Sequence, residues 1–209
     1  LSSRANAFLS VLSCACWRLR SAIVCSRSPP IAAPTALETV SVGGMTYALL
    51  ASSGSSSVTV MQVSPLGELL VTDHVIDGLE TSIAKTNALA AVNDGEHVWV
   101  AAGGSDGVTL FILNEGRLYP IETFNSAAFA DCSALEMTAS DNQLQIYSGS
   151  ASGRGVSQIS IDTSLFDVAT NTGDKGGDLV LDTSGSDTLS GGSGDDIFAL
   201  SADGQSDTI

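Results

Sequence analysis

Aromatic and basic residues are the scarcest groups in this chain of 209 residues. Aromatic side chains make up 5% of the sequence, and eight Lys and Arg stand against 23 Asp and Glu, for a net charge of −15. So few bases exclude a nucleic-acid-binding protein, because phosphates are bound mainly by Lys and Arg. The low aromatic content, with abundant Gly, Ser, Thr and Ala, favours a β-rich architecture with many turns.

Residues and motifs typical of catalysis are also scarce. The only histidines are His74 and His97, and the sequence contains neither a helical histidine pair of a metalloprotease nor a Gly-x-Ser-x-Gly nucleophile elbow. The glycine-rich stretch 103–107 lacks the lysine of a phosphate-binding loop and predicts a hairpin turn. We therefore predict no catalytic residues; the sequence favours a protein that is not an enzyme.

The four cysteines define no disulfide framework, because three of them lie in an unusual N-terminal segment and one lies far away. They are Cys14, Cys16, Cys25 and Cys132, and their spacing matches no zinc site.

The N-terminal segment differs in composition from the rest of the chain. Residues 1–36 contain four arginines and no acidic residue, and their apolar run at 5–17 is too short to span a bilayer. We predict a leader or an unstructured segment here, and no transmembrane segment. Because the chain starts without methionine and stops abruptly, we expect it to be part of a longer protein.

A repeat of about 50 residues covers the middle of the chain. Its copies are 47–54 with 58–63, 97–104 with 108–113, and, more weakly, 144–149 with 156–161. In the second copy we predict strands at 88–92, 97–102, 108–113 and 117–123, with turns at 93–95 and 114–116. A turn at 65–67 is predicted in the first copy.

Repeats of this length are typical of four-stranded propeller blades. In the rhythm of its strands this region resembles the lactonase-like or WD-type β-propeller. We predict about three propeller-like blades over residues 37–166, fewer than the four that a closed propeller needs. A generic β-sandwich is the alternative.

Three consecutive nonapeptides occupy residues 173–199. They share a glycine at position four, an aspartate at position six and a large apolar residue at position eight. These are Gly176, Gly185 and Gly194; Asp178, Asp187 and Asp196; and Val180, Leu189 and Phe198. Glycine permits tight turns and lets carbonyl oxygens approach a cation. Because calcium takes about six to eight oxygen ligands, neighbouring coils must share a site.

This pattern resembles the calcium-binding repeat of RTX proteins, the hemolysin-type family. The resemblance covers residues 173–209, and only the third copy matches throughout; the first lacks glycine at position two and the second lacks both leading glycines. It implies a parallel β-roll with calcium as its ligand, in a secreted, extracellular protein. The metal-binding residues that it implies are Gly176, Asp178, Gly185, Asp187, Gly191, Gly192, Gly194 and Asp196.

A two-turn coil places successive nonapeptides on opposite edges. We therefore expect Asp178 and Asp196 on one edge, Asp187 on the other, and the apolar residues of position eight pointing inward. Asp203, in the degenerate segment after the third copy, is expected at a frayed end. Repulsion among eight aspartates predicts that residues 173–209 are disordered without calcium and fold on binding it. A flexible linker is the alternative.

The sequence thus predicts an all-β protein in three parts: a leader or unstructured segment (1–36), partial propeller-like blades (37–166) and a short parallel β-roll (167–209). The leading function is a secreted calcium-binding protein of the RTX type. Two alternatives stay open, each with structural calcium: a propeller hydrolase resembling lactonases, and an extracellular adhesion module with a cell-surface or glycan partner.

Overall fold

The protein is an all-β chain in the computed structural model, which describes residues 29–153, 155–164, 166–183, 185–200 and 204–209. Within these ranges the chain forms fourteen strands and no helix. The strands are β1 (Pro34–Val42), β2 (Met45–Ser52), β3 (Ser57–Val63), β4 (Leu69–Ile76), β5 (Ala88–Asn93), β6 (Val98–Gly103), β7 (Val108–Asn114), β8 (Arg117–Phe124), β9 (Cys132–Ser140), β10 (Gln143–Ser150), β11 (Val156–Asp162), β12 (Asp167–Thr170), β13 (Asp178–Leu181) and β14 (Ile197–Ala199).

The predicted leader lies mostly outside the described residues, which begin at Pro29. β1 begins at Pro34, within the segment predicted to be a leader or unstructured. Among the residues described, no helix is long and apolar enough to cross a membrane.

The chain divides into two compact units. The first contains the described residues up to Ala139 together with Gln145–Ile159, and the second contains Ser140–Leu144 and Ser160–Ile209. The boundaries fall inside β9, β10 and β11.

Two four-stranded antiparallel sheets form most of the first unit, in the orders β1-β2-β3-β4 and β5-β6-β7-β8. The predicted repeat coincides with β2 and β3 in one sheet and with β6 and β7 in the other, so the repeat marks paired strands. The four strands predicted for the second copy are confirmed to within one residue at each end.

Tight turns join these strands at the predicted places. Glu115 and Gly116 alone separate Asn114 from its partner Arg117, and their φ angles are 49° and 83°. Two-residue hairpin turns of this kind require positive φ at both positions, because the twist of the turn then matches that of the strands. The other two predicted turns lie in the β3–β4 and β5–β6 hairpins.

The first two sheets share one hydrophobic core. Val58 and Val60 of β3 enter it with Val100 and Phe111 of the second sheet, and all four side chains are fully buried. Successive residues of a strand point to opposite faces. Met61 therefore leaves this core and packs with a smaller cluster on the other face of its sheet.

A third antiparallel sheet has the order β11-β10-β9 and contains the third copy of the repeat in β10 and β11. In the described part of the chain it has three strands rather than the four expected of a blade. Cys132, at the start of β9, is buried, and its Sγ lies 2.4 Å from where a Cβ on Gly103 would be. The missing side chain of Gly103 therefore lets β6 and β9 approach closely.

The second unit contains a parallel sheet of three short strands in the order β12-β13-β14. Leu179 pairs with Ile197, and Val180 with Phe198, so each partner lies two nonapeptides further along the chain. An isolated parallel bridge between Lys175 and Ser193 has the same spacing. β13 and β14 therefore stack in register two nonapeptides apart, whereas β12 pairs with β13 at an offset of 11 residues.

The apolar residues of position eight contribute unequally to the interior of this unit. Val180 and Leu189 are buried, as predicted, whereas Phe198 is half-buried. Leu179, next to Val180, is also fully buried. Because these neighbours point to opposite faces of β13, both faces of the central strand are covered.

Candidate metal centre

Two nonapeptide loops, residues 173–178 and 191–196, lie side by side; we call this pair of loops the glycine edge. The amide of Gly176 donates to the carbonyl of Ser193 over 2.8 Å, and the amide of Ser193 donates to the carbonyl of Asp174 over 3.0 Å. These bonds align equivalent positions of the first and third nonapeptides.

The two loops approach so closely that only glycine fits at two positions of the third nonapeptide. A Cβ on Gly192 would lie 2.1 Å from the carbonyl oxygen of Asp174, and a Cβ on Gly194 would lie 1.8 Å from that of Gly176. Both glycines also have positive φ, 84° and 142°, which other residues rarely adopt. Glycine therefore allows backbone oxygens to crowd this edge.

Position one of each loop faces the aspartate at position six of the same loop. A Cβ on Gly173 would lie 2.6 Å from Oδ2 of Asp178, and a Cβ on Gly191 would lie 2.1 Å from Oδ2 of Asp196. The carboxylates thus occupy the space that glycine leaves open.

Asp178 is the most unusual polar group of this edge, because it is 1% exposed. Its Oδ2 accepts a bond from the amide of Asp174 over 3.1 Å, and its own amide donates to Oδ1 of Asp196 over 3.1 Å. Its Oδ1 is buried and has no hydrogen-bond partner among the described residues. Burial raises the pKa of Asp178, and the charges of Asp174, Asp196 and Asp167 raise it further.

The third predicted carboxylate, Asp187, has different neighbours; we call Asp187 with Asn171 and Thr183 the threonine edge. Oδ1 of Asp187 accepts a bond from Nδ2 of Asn171 over 2.9 Å, and Oδ2 accepts one from the amide of Thr183 over 3.0 Å. The Thr183 hydroxyl lies 2.9 Å from Oδ2 and 3.1 Å from Oδ1. Hydrogen bonds from Thr183 and Asn171 lower the pKa of Asp187.

The structure therefore brings Asp178 and Asp196 together and places Asp187 among other partners. Gly185, predicted with Asp187, has no described atom within 4 Å of an added Cβ, so no close approach to the described residues requires glycine there. Asp203 lies outside the described residues.

Asp207 stacks on Asp187, and the sequence analysis did not predict it. Its Oδ1 accepts a bond from the amide of Asp187 over 3.0 Å, just as Asp196 accepts one from Asp178. A bridge between Thr188 and Thr208 continues the stacking with two extra residues in the coil. The recurring Asp-Thr dipeptide was the available signal, but a strict nine-residue count places Gln205 in the column instead.

The glycine edge brings carboxylate and backbone oxygens close together. Within the described ranges no three His, Cys, Asp or Glu side chains are close enough together to hold a metal ion. A site here would draw on the carboxylates of Asp178 and Asp196 and take its remaining oxygens from the backbone. Calcium accepts such a mixture of carboxylate, carbonyl and water oxygens.

The two histidines and the predicted turn at 103–107 each make a contact with a nearby polar group. Nδ1 of His74 lies 2.9 Å from the Thr59 hydroxyl, and burial lowers the pKa of this histidine. His97 immediately precedes β6 and lies 4.0 Å from a carboxylate oxygen of Asp94. Oδ1 of Asp106, in the predicted hairpin turn between β6 and β7, accepts a bond from a backbone amide over 3.0 Å.

Comparison with known proteins found structural neighbours but no match by sequence. No protein-family model matches the chain, and no curated protein matches it. A mutant of the α-L-arabinanase from Cellvibrio cellulosa is a structural neighbour with 16% sequence identity and a TM-score of 0.39. The matched part covers 62% of this chain and 53% of the arabinanase. A likeness at this TM-score carries no conclusion about fold or activity.

Proposed function

We propose that the second unit is a short parallel β-roll that binds calcium at the glycine edge, in a secreted calcium-binding protein of the RTX type. Asp178 and Asp196 would supply carboxylate ligands, and the glycines at 176, 191, 192 and 194 would bring the backbone oxygens close. In-register parallel strands separated by two nonapeptides support the roll.

The buried Oδ1 of Asp178 carries the proposal. Burying a charged carboxylate costs several kcal/mol unless it is paired or hydrogen-bonded. The described residues supply a donor to Oδ2 and none to Oδ1. A divalent cation supplies the missing positive charge at this oxygen when bound.

The same geometry supports folding that is coupled to calcium. Asp167 pairs with Asp178 in the adjacent strand. Asp196 immediately precedes Ile197, which pairs with Leu179 on the other side of β13. Adjacent strands lie about 4.8 Å apart, so these carboxylates repel one another without a counter-ion. Binding free energy at such a site becomes folding free energy. A protein of this kind would fold where calcium is abundant, outside the cell.

For the first unit we propose consecutive blades of a β-propeller. Two antiparallel sheets of four strands, packed face to face and each built on a repeat of about 50 residues, support this.

Calorimetric titration of the full chain with CaCl2 tests the metal proposal. We expect the wild type to bind calcium and Asp178→Asn to lower the affinity at least about tenfold, because the variant loses a charged ligand. Asp195→Asn is the matched control: it makes the same change at an exposed side chain in the neighbouring loop of the glycine edge, so its calcium affinity should stay within about threefold of the wild type. MgCl2 should bind more weakly, because magnesium gives up its waters reluctantly. A wild type that takes up no calcium at millimolar concentration would refute the proposal.

A further inference from the structure

The two edges of the second unit carry the same aspartate column in unlike surroundings. On the glycine edge Asp178 is buried, and one of its oxygens lacks a donor among the described residues. On the threonine edge both oxygens of Asp187 accept hydrogen bonds from protein groups. The loops differ in sequence at positions one and two, where the second nonapeptide has Asp182 and Thr183 in place of leading glycines.

We propose that hydrogen bonds from Thr183 and Asn171 stabilise the ionised carboxylate of Asp187 in place of a metal ion. The threonine edge then folds without calcium, and calcium binding is confined to the glycine edge. This inference deepens the proposed calcium function. The confinement of calcium to the glycine edge rests on that function, whereas the folding of the threonine edge without metal does not.

The donors at the threonine edge saturate the carboxylate that a cation would need. The Thr183 amide, the Thr183 hydroxyl and the Asn171 amide group direct three donors at the two oxygens of Asp187, at distances of 2.9 to 3.1 Å. Hydrogen bonds to an ionised acceptor are about twice as strong as neutral ones. A cation at Asp187 must displace them, whereas Oδ1 of Asp178 offers an acceptor with no such competitor.

The backbone around Asp187 also lacks the crowding seen on the other edge. At Gly194 an added Cβ would lie 1.8 Å from a carbonyl oxygen, whereas nothing described lies within 4 Å of one at Gly185. The described residues of the second nonapeptide therefore do not bring backbone oxygens together as the third nonapeptide does. Calcium needs about six to eight oxygens, a number that the carboxylates of Asp187 and of Asp207, which stacks on it, do not supply.

Asn171 is fixed in position by the coil itself. Its φ is 63°, its amide donates to the carbonyl of Leu181 over 2.9 Å, and its carbonyl accepts from the amide of Ser190 over 2.9 Å. Its side-chain Oδ1 is buried and has no donor among the described residues. This neutral oxygen adds one ligand to the edge, still far from the number that calcium requires.

Three variants of the full chain separate the two edges. Thr183→Val removes the hydroxyl and keeps the shape, Thr183→Ser restores a hydroxyl, and Asp178→Asn alters only the glycine edge. Hydrogen exchange of peptides covering 171–173 and 185–190 is measured in chelator and in excess CaCl2. Calorimetry gives the affinity and the number of bound ions.

In chelator we expect Thr183→Val to accelerate exchange in these peptides at least about tenfold and Thr183→Ser to restore the wild-type rate, because the hydroxyl bonds a charged acceptor. Thr183→Val should leave the calcium affinity within about twofold and the ion number unchanged. Asp178→Asn should show the reverse pattern, with weak calcium binding and no acceleration in chelator.

Each part of the inference can fail separately. Unchanged exchange of Thr183→Val in chelator would overturn the role of the hydroxyl, whether or not calcium binds. A loss of bound ions or a tenfold loss of affinity in Thr183→Val would place calcium at the threonine edge and overturn the confinement. A wild type that binds no calcium would overturn both the proposed function and the confinement of calcium to the glycine edge. The exchange rates in chelator would still decide whether the Thr183 hydroxyl stabilises the threonine edge.

Discussion

At the scale of single residues, the protonation of Asp178 should govern how the metal-free second unit responds to pH. Its pKa is raised by burial and by neighbouring acids. The folded state therefore holds a proton that the unfolded state has already released, and stability falls as the pH rises from the ordinary carboxyl pKa through the raised one. Asp187 contributes a pH dependence of the opposite sign. Because its pKa is lowered in the folded state, the stability that it contributes is lost as the pH falls through that pKa.

We therefore expect the second unit, in chelator, to lose stability as the pH rises above the ordinary carboxyl pKa, and Asp178→Asn to abolish most of this loss. Urea unfolding followed by circular dichroism at several pH values measures the effect. The same slope in both proteins would contradict the assignment of the titration to Asp178.

Two glycines of the same column should differ sharply in tolerance. Gly194→Ala places a Cβ 1.8 Å from a backbone oxygen and forces a φ of 142° on alanine. We expect it to destabilise the second unit by at least about 2 kcal/mol, because both strain and overlap must be relieved. Gly185→Ala, the matched control, meets no atom within 4 Å and should change stability by less than about 0.5 kcal/mol. Equal losses in urea unfolding would show that the column is needed for another reason.

The site was only partly predictable at this scale. The aspartate and glycine columns follow from the nine-residue period, since period alone decides which residues stack. The roles of Thr183 and Asn171 could not be predicted, because they depend on which polar group reaches a carboxylate across the coil. Asp207 was missed because the last coil contains two extra residues, which shift the column away from a strict count.

At the scale of strands and sheets, the close approach of β6 and β9 depends on Gly103. In Gly103→Ala the added Cβ would lie 2.4 Å from Sγ of Cys132, and we expect a loss of about 1–3 kcal/mol from overpacking. Gly149→Ala is the control, because its Cβ would lie 3.5 Å from the Cβ of Ala134, an ordinary contact.

Adding Cys132→Ala to Gly103→Ala removes the closest atom and should recover part of the lost stability. Chemical denaturation measures the stability of the first unit in the wild type, in Gly103→Ala, in Gly149→Ala and in the double variant. No recovery in the double variant would mean that Sγ is not the obstacle.

Sequence patterns predicted the antiparallel strands well and the short parallel ones poorly. In β5 to β8 the apolar alternation and the turn residues agree, so the predicted ends differ from the observed ones by at most one residue. β12 has four residues and no glycine column of its own, and its position follows only from pairing with β13. The second nonapeptide forms isolated bridges rather than a strand, which its similarity to the other two did not reveal.

At the scale of the whole molecule, the two compact units should respond separately to calcium and to a core cavity. Calcium at one hundred times its dissociation constant stabilises the folded form by about 2.7 kcal/mol. We expect chelation to accelerate hydrogen exchange in peptides covering 174–181 and 191–200, and to leave the exchange of peptides in β2, β3, β6 and β7 unchanged. Phe111→Ala, in the core of the first unit, should cost that unit about 3–5 kcal/mol. Acceleration of the first unit by chelation would show that calcium also acts there.

Because strands two nonapeptides apart stack on each other, the number of nonapeptides that can be inserted into the coil without changing its pairing must be even. Inserting one nonapeptide between the second and the third would transfer every later loop to the opposite side, so that the loop of Asp196 would face the loop of Thr183 instead of that of Asp178. Tandem duplication of two nonapeptides can therefore lengthen this coil while each edge keeps its own kind of loop. Duplication of a single nonapeptide would mix the loops of the glycine edge and the threonine edge.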